Sequence, residues 1–393
     1  MTTPQGFAAP GFGAVADAFG KNFERHGEIG AAVAAYVDGD LVVDLWGGSA
    51  DPDSARAWEA DTSAVIFSCT KGITALCVYQ LVQDGVLDLD APMARYWPEF
   101  GQADKADVTV RCVLAHRAGL PTVAAQLSYA DVLGWHPVVE ALAASAPLWP
   151  PGSQYMYHAL TYGWLAGELI RRISGLMPGE FFARRFGRPL GLSTWIGLPA
   201  AELPRVARVL PGLPSDDPGL RAEAERVAAS PAGRLAERAV TVNGAIGDLM
   251  EAFNEPAMLQ AQQPAANGVS TARSLARLYA AAVTGPERAM TAESVTDAVV
   301  TRSTGRQYLS DVDDPARWGT GFMVHARGAR LMLGPRSFGH DGAGGKAAFG
   351  DDEYGVGFAY LNNWMGQAPD NRADRLIAAL ARCLGVDRLK GSS

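Results

Sequence analysis

Ser68-Cys69-Thr70-Lys71, running straight into Gly72-Ile73-Thr74-Ala75-Leu76-Cys77-Val78-Tyr79-Gln80-Leu81-Val82, decides how the rest of the chain is read. Ile73, Leu76, Cys77, Gln80 and Leu81 recur at helical spacing and the run stops near Gly85, which predicts a helix with a buried apolar stripe. Residues three apart share a helix face, so the Ser68 hydroxyl and the Lys71 ammonium meet one turn apart at the helix start. Five lysines occur, at 21, 71, 105, 346 and 390, and only Lys71 has a serine three residues before it. Serine is a poor nucleophile at neutral pH and needs a neighbour to take its proton. A lysine does this once burial and the positive helix end lower its pKa from about 10.4. The other reading of the pair is a serine that caps the helix and a solvated lysine.

Around this helix the hydrophobic period changes twice. Residues 12–26 carry a helical pattern (Phe12, Val15, Phe19, Phe23), and Ala31 to Val37 and Leu41 to Trp46 are β-prone runs joined by Asp38-Gly39-Asp40, a hairpin signal. From about 88 to 260 the chain is rich in Ala, Leu, Arg and Pro, with a helical stretch at Tyr162 to Ile173 and loops at Pro150-Pro151-Gly152 and Pro211 to Pro218. Beyond Asn267-Gly268 a helix (Ser270 to Ala282) precedes β-prone runs at Gly321 to Ala326, Arg330 to Leu333, Lys346 to Gly350 and Tyr354 to Leu361, then a last amphipathic helix, Asn371 to Leu384. Strands at both ends with helices between predict an α+β fold: one antiparallel sheet built from both termini and flanked by helices. The expected division is an α/β domain from 1–87 and 261–393, with a mostly helical domain inserted at 88–260.

Composition narrows the function classes. A net charge of −8 with scattered acids and no Lys/Arg block leaves no electrostatic footprint for nucleic acid or an anionic membrane, so the expected partner is a small neutral or weakly polar molecule. Oligomeric state is not legible. Cys69, Cys77, Cys112 and Cys383 lack metal-ligand spacing, and free thiols in a reducing cytoplasm are the default. Met1-Thr2-Thr3-Pro4-Gln5-Gly6 has no basic patch followed by an apolar run, and no uncharged apolar stretch reaches membrane-spanning length, so a soluble cytoplasmic protein is expected.

Two further segments carry potential chemistry. In Trp149-Pro150-Pro151-Gly152-Ser153-Gln154-Tyr155-Met156-Tyr157-His158-Ala159, a Pro-Gly turn feeds an aromatic loop that can hold a phenol over a pocket, and a tyrosine of lowered pKa shuttles protons beside a lysine. Aromatic core packing accounts for Tyr155 and Tyr162. In Phe338-Gly339-His340-Asp341-Gly342-Ala343-Gly344-Gly345-Lys346 the glycines allow close backbone approach, and a free strand N–H stabilises a developing oxyanion; a plain hairpin turn is the alternative. His116 invites a Ser-His-Asp scheme, but no Gly-x-Ser-x-Gly elbow occurs, which leaves it a structural loop contact. The remaining histidines show no metal spacing, and no phosphate-loop or dinucleotide signature occurs. Trp135, Trp149, Trp318 and Phe349 fit either an apolar pocket or the core.

Taken in order, these segments resemble the serine β-lactamase and penicillin-binding-protein superfamily, and most closely the class C β-lactamase-like group that includes the family VIII carboxylesterases. Ser-x-x-Lys falls on Ser68 to Lys71, the Tyr-x-Asn motif on Tyr157-His158-Ala159, and the third motif, Lys-Thr-Gly in lactamases and often His-x-Gly in esterases, on His340-Asp341-Gly342. Leu-x-His-x-x-Gly-Leu-Pro at 114–121, Pro189-Leu190-Gly191-Leu192 and Asn267-Gly268-Val269-Ser270-Thr271-Ala272 agree as minor landmarks. The resemblance implies a serine hydrolase without metal or organic cofactor. Ser68 would be the nucleophile, with Lys71 and Tyr157 in proton transfer. The backbone N–H groups of Ser68 and Ala343 would form the oxyanion hole, with His340 and Gly342 at the substrate. Ala159 in place of Asn and His340 in place of Lys remove an amide contact and a fixed cation, which moves the expected substrate from penicillins to short-chain carboxylic esters. Acyl transfer, β-lactam hydrolysis and D-aminopeptidase activity are the alternatives of the same superfamily, with a non-catalytic ligand-binding homologue more remote. The charge of Lys346 has no place in the pattern.

Overall fold

A tight turn at Asp38 (φ 50°) and Gly39 (φ 91°), both left-handed, closes the first hairpin as its sequence demands. The computed structural model describes residues 3–285, 288–367 and 370–389, so that Met1, Thr2 and Lys390 fall outside the described residues. Strand β1 (Gln5–Ala8) leads through helix α1 (Gly13–Arg25) to the hairpin strands β2 (Gly30–Val37) and β3 (Asp40–Asp51), the short β4 (Arg56–Ala57) and the serine helix α2 (Cys69–Gln83). Of the helices that follow, α3 (Thr161–Ser174) and α4 (Ala272–Val283) bear on the site. Strands β5 (Ser303–Arg306), β6 (Asp313–Trp318), β7 (Met323–Val324), β8 (Ser337–Gly342), β9 (Lys346–Asp351) and β10 (Val356–Asn362) and helix α5 (Arg372–Cys383) complete the set.

The ten strands form one antiparallel sheet in the order β1-β3-β2-β10-β9-β8-β7-β6-β5, with β4 against β3. The N-terminal and C-terminal strands meet inside it, where β2 pairs with β10 (Ala31 opposite Asn362, Ala35 opposite Phe358). Alternation along these strands sorts their side chains onto two faces. Ala31, Val33 and Ala35 of β2, with Val356, Phe358 and Tyr360 of β10, pack beneath α1 and α5 against Val15, Phe19, Leu376, Ile377 and Leu380. Ala34, Tyr36, Ala359 and Leu361 face the other way, onto α2 and α4.

Twelve of the fifteen residues of α2 are buried, so the helix has no solvent face rather than a single apolar stripe. Its core continues into the 88–260 region, where Leu142, Trp164 and Leu165 share a cluster with Ile73 and Leu76. Thr194–Trp195 from that region pairs with Val269–Ser270, which also pairs with Ala64–Val65, making a small sheet just before the serine.

Two expectations change, and two strands were not expected. Arg330 to Leu333 is not a strand, because Arg388 bonds the Leu331 and Met332 carbonyls and Arg330 turns to Asp341 and Asp374 instead of entering a ladder. The helix expected from Ser270 begins at Ala272: Val269–Ser270 is strand, and the Thr271 side chain caps the helix by accepting from Ser274 N–H. Strands β5 and β6 had no sequence signal, since Ser-Thr-Gly-Arg and Asp-Asp-Pro-Ala-Arg-Trp lack apolar alternation.

Candidate active site

Phe67, directly before the serine, holds φ at 45°, a left-handed value that costs a non-glycine residue roughly 1–3 kcal/mol. The surrounding core holds it there: its ring meets Phe253 edge-on at 4.9 Å. Ser68 follows at the N-cap position of α2, yet its side chain makes no capping bond. The capping alternative therefore fails, and so does the solvated lysine: Lys71 is 0% exposed.

The Ser68 hydroxyl oxygen instead has two side-chain neighbours. Tyr157 Oη donates to it at 2.8 Å, and Lys71 Nζ lies 3.2 Å away. Lys71 Nζ also donates to the carbonyls of Ala159 (2.6 Å) and Ala265 (3.0 Å). Two threonines one turn apart on α2 place the second carbonyl: Thr70 Oγ1 accepts from Gly268 N–H, and Thr74 Oγ1 donates to Pro264 C=O at 2.6 Å. Gly163 of α3 lets this segment close in, since a β-carbon there would sit 2.7 Å from Ala265 N. Burial lowers the Lys71 pKa well below the ordinary lysine value.

Tyr157 stands on a rigid aromatic base. Its ring stacks on Trp318 (4.9 Å, 26°), and His116 packs 5.0 Å away. His116 Nδ1 accepts from His158 N–H, and His158 Nε2 from Leu120 N–H, so both histidines brace the loop. Burial keeps both neutral, with His158 lowered to about 4. The expected lowering of the Tyr157 pKa is overturned: burial raises it, against the smaller opposing effect of the Ser68 bond. Its phenol is a proton donor at rest.

The third segment lies against the first. A β-carbon at Gly342 would come within 2.4 Å of the Ile66 carbonyl oxygen, so only glycine lets the end of β8 approach the residues before Ser68. Cys69 Sγ donates to the His340 carbonyl at 3.2 Å. The His340 ring faces Trp318 (5.4 Å) and Tyr157 (6.0 Å). Its Nδ1 lies 2.7 Å from the Asp341 carbonyl, which places the ring proton on Nδ1 and makes Nε2 an acceptor. Burial, aided by Lys71, lowers its pKa to about 3. Ala343 is exposed in the following turn. Among the described residues, neither Ser68 N–H nor Ala343 N–H donates to a protein acceptor.

Ser68, Lys71, Tyr157, His340, Gly342 and Ala343 are thus drawn to one place from three parts of the chain. Of the four aromatics read as pocket candidates, Trp318 is at the site. Trp135 bonds Glu168, Trp149 packs on Tyr308, and Phe349 packs on Phe358 across the sheet. Sequence reasoning missed Ala265, because a backbone carbonyl leaves no side-chain signature; the threonines at 70 and 74, on one helix face, were the available signal. Among the described residues no cluster of His, Cys, Asp and Glu could hold a metal ion, all four cysteines are free, and no helix is long and apolar enough to cross a membrane.

Residues 15–382 match the beta-lactamase family. The esterase/beta-lactamase LipL of Mycobacterium tuberculosis (strain ATCC 25618 / H37Rv) is 37% identical over 372 residues, which are 91% of this chain and 82% of that protein. The crystal structure of a family VIII carboxylesterase superposes with TM-score 0.84 at 34% identity, covering 97% of this chain and 99% of that one. A penicillin-binding-protein homologue from Caulobacter crescentus gives TM-score 0.82 at 34% identity, over 97% and 99% of the two chains. With its antiparallel sheet, its buried serine helix and this family match along nearly its whole length, the chain belongs to the beta-lactamase family and is a serine hydrolase.

Proposed function

We propose that the protein is a carboxylesterase that hydrolyses short-chain, uncharged carboxylic esters through an acyl-enzyme on Ser68. The observation that carries this reading is the line Tyr157 Oη, Ser68 Oγ, Lys71 Nζ, with contacts of 2.8 and 3.2 Å. A free amine has two N–H bonds and one lone pair. With both N–H bonds committed to the Ala159 and Ala265 carbonyls, the lone pair of Lys71 is left for the Ser68 proton. Burial shifts Lys71 toward the amine form.

In this reading Ser68 Oγ bonds to the ester carbonyl carbon as its proton passes to Lys71 Nζ. The carbonyl oxygen becomes an oxyanion between the Ser68 and Ala343 N–H groups. As the C–O bond to the alcohol breaks, Tyr157 gives its phenolic proton to the departing oxygen and recovers one from Lys71. Water then attacks the acyl-enzyme, with Lys71 again as base and Ser68 released.

The substrate class follows from charge. Neutral His340, whose buried Nε2 has no hydrogen-bond partner among the described residues, supplies no cation for a substrate carboxylate, and Ala159 has no side-chain amide to offer a β-lactam. Trp318 adds an apolar wall. The similarity to a family VIII carboxylesterase supports this direction, while the name of LipL carries both activities. The test compares wild type and Ser68→Ala on p-nitrophenyl esters of increasing acyl length, a chromogenic cephalosporin and a D-Ala-D-Ala peptide. The expected result is turnover of short esters above the other two classes, abolished in Ser68→Ala; full ester hydrolysis by that variant overturns the assignment.

A further inference from the structure

Lys346 opens β9 directly opposite Gly342, is 1% exposed, and reaches back under the turn that carries Ala343. Its Nζ donates to the Ala343 carbonyl at 3.0 Å and to Asn362 Oδ1 at 3.2 Å, and lies 4.9 Å over the Phe67 ring. It therefore touches both residues that set the proposed oxyanion donors: Phe67, whose left-handed φ aims the Ser68 N–H, and Ala343 itself. We infer that Lys346 is the positioning residue of the oxyanion hole, tying the Ala343 turn to the Phe67 side so that both N–H groups address one oxygen; this rests on the Ser68 acyl-enzyme reading.

The turn needs such a tie. Gly344 (φ 80°) and Gly345 (φ 81°) follow Ala343 and restrain it little, so carbonyl anchors must hold its orientation. Lys346 holds the Ala343 carbonyl, while Asn362 Nδ2 (2.8 Å) and Arg372 (3.2 Å) hold that of Gly344. Lys346 is not a substitute for the lactamase cation. Its burial and its commitments to Ala343, Asn362 and Phe67 keep it from a substrate carboxylate. Burial lowers its pKa to about 7, with Arg372 in the same direction and Cys69, Glu28 and Asp370 opposed. Both the amine and the ammonium carry enough N–H donors for Ala343 and Asn362, so the tie survives titration.

The test is Lys346→Met, which keeps length and burial but removes the donor, with Lys346→Gln as a donor-bearing control. Because oxyanion donors act in the transition state, kcat on a p-nitrophenyl ester falls about tenfold with KM within twofold, less than the hundredfold or more for loss of a donor itself. The inhibition constant of a trifluoromethyl ketone, whose carbonyl carbon takes Ser68 Oγ to give a tetrahedral oxyanion, rises by the same factor. Lys346→Gln recovers kcat to within about threefold of wild type. If Lys346→Met does not fold, Lys346→Ser, too short to reach Ala343, replaces it in the comparison with Gln. Unchanged kcat and inhibitor affinity in the donorless variant, while Ser68→Ala is inactive, overturns the inference and leaves the acyl-enzyme reading standing. Turnover by Ser68→Ala overturns both.

Discussion

Replacing Tyr157 by Phe isolates the proton donor. The ring remains stacked on Trp318 at 4.9 Å and beside His116 at 5.0 Å, so the aromatic base is retained. What is lost is one bond, from Oη to Ser68 Oγ at 2.8 Å, and the proton available to the leaving alcohol. Ser68 is partly exposed, so water replaces the bond and stability changes by about 1 kcal/mol or less. Losing a general acid costs about 10²–10⁴ in rate, or about 3–5 kcal/mol of barrier. That loss depends on the leaving group: an ethoxide oxygen needs the proton, whereas p-nitrophenolate departs as the anion. Stopped-flow acylation with paired ethyl and p-nitrophenyl esters of one acid reads the difference. The expected result is a loss of at least about a hundredfold on the ethyl ester and at least tenfold less on the p-nitrophenyl ester. Equal losses on both esters, or none, refute Tyr157 as the donor.

Lys71 sets the acid limb of the pH profile: only the free amine accepts the Ser68 proton, and burial lowers its pKa, so kcat/KM rises with pH and reaches its plateau well below the pH at which an exposed lysine deprotonates. A pH–rate series on a neutral ester checks this. Exchanging His340, whose pKa of about 3 leaves it neutral, for Lys restores a cation, and KM for a chromogenic cephalosporin relative to a neutral ester is expected to fall about fivefold, worth about 1 kcal/mol. Lys346 titrates near 7 when folded and near 10.4 when unfolded. In that window the unfolded chain binds the extra proton, so wild-type unfolding free energy rises with pH relative to Lys346→Met, by up to about 1.4 kcal/mol per unit. Urea titrations of both proteins at pH 7 and pH 9.5 measure the change.

Particular residues show what was legible in the chain. The Asp38-Gly39 turn and the alternating runs beside it announce the first hairpin, because a period of two and two left-handed positions have few other solutions. The order of the Ser-x-x-Lys, Tyr-x-x and His-x-Gly segments pointed to the family before any geometry. The polar strands β5 and β6 escaped, since their pairing is set by neighbouring strands rather than by their own pattern. Arg330 to Leu333 misled for the opposite reason: Met332 and Leu333 are buried, but Arg388 takes the carbonyls a ladder would use. Electrostatics was the least legible level. Whether Tyr157 titrates up or down, and what Lys346 holds, depends on burial and on backbone carbonyls that no residue type advertises.

The most direct test of the central claim is intact-protein and peptide mass spectrometry after rapid acid quench of the enzyme with a short p-nitrophenyl ester. The expected result is one added acyl group, mapped to the peptide containing Ser68, formed at the rate of the p-nitrophenolate burst and absent in Ser68→Ala. Turnover without an adduct on Ser68 in a quench fast enough to capture the burst, or an acyl group mapped to another residue, would contradict it.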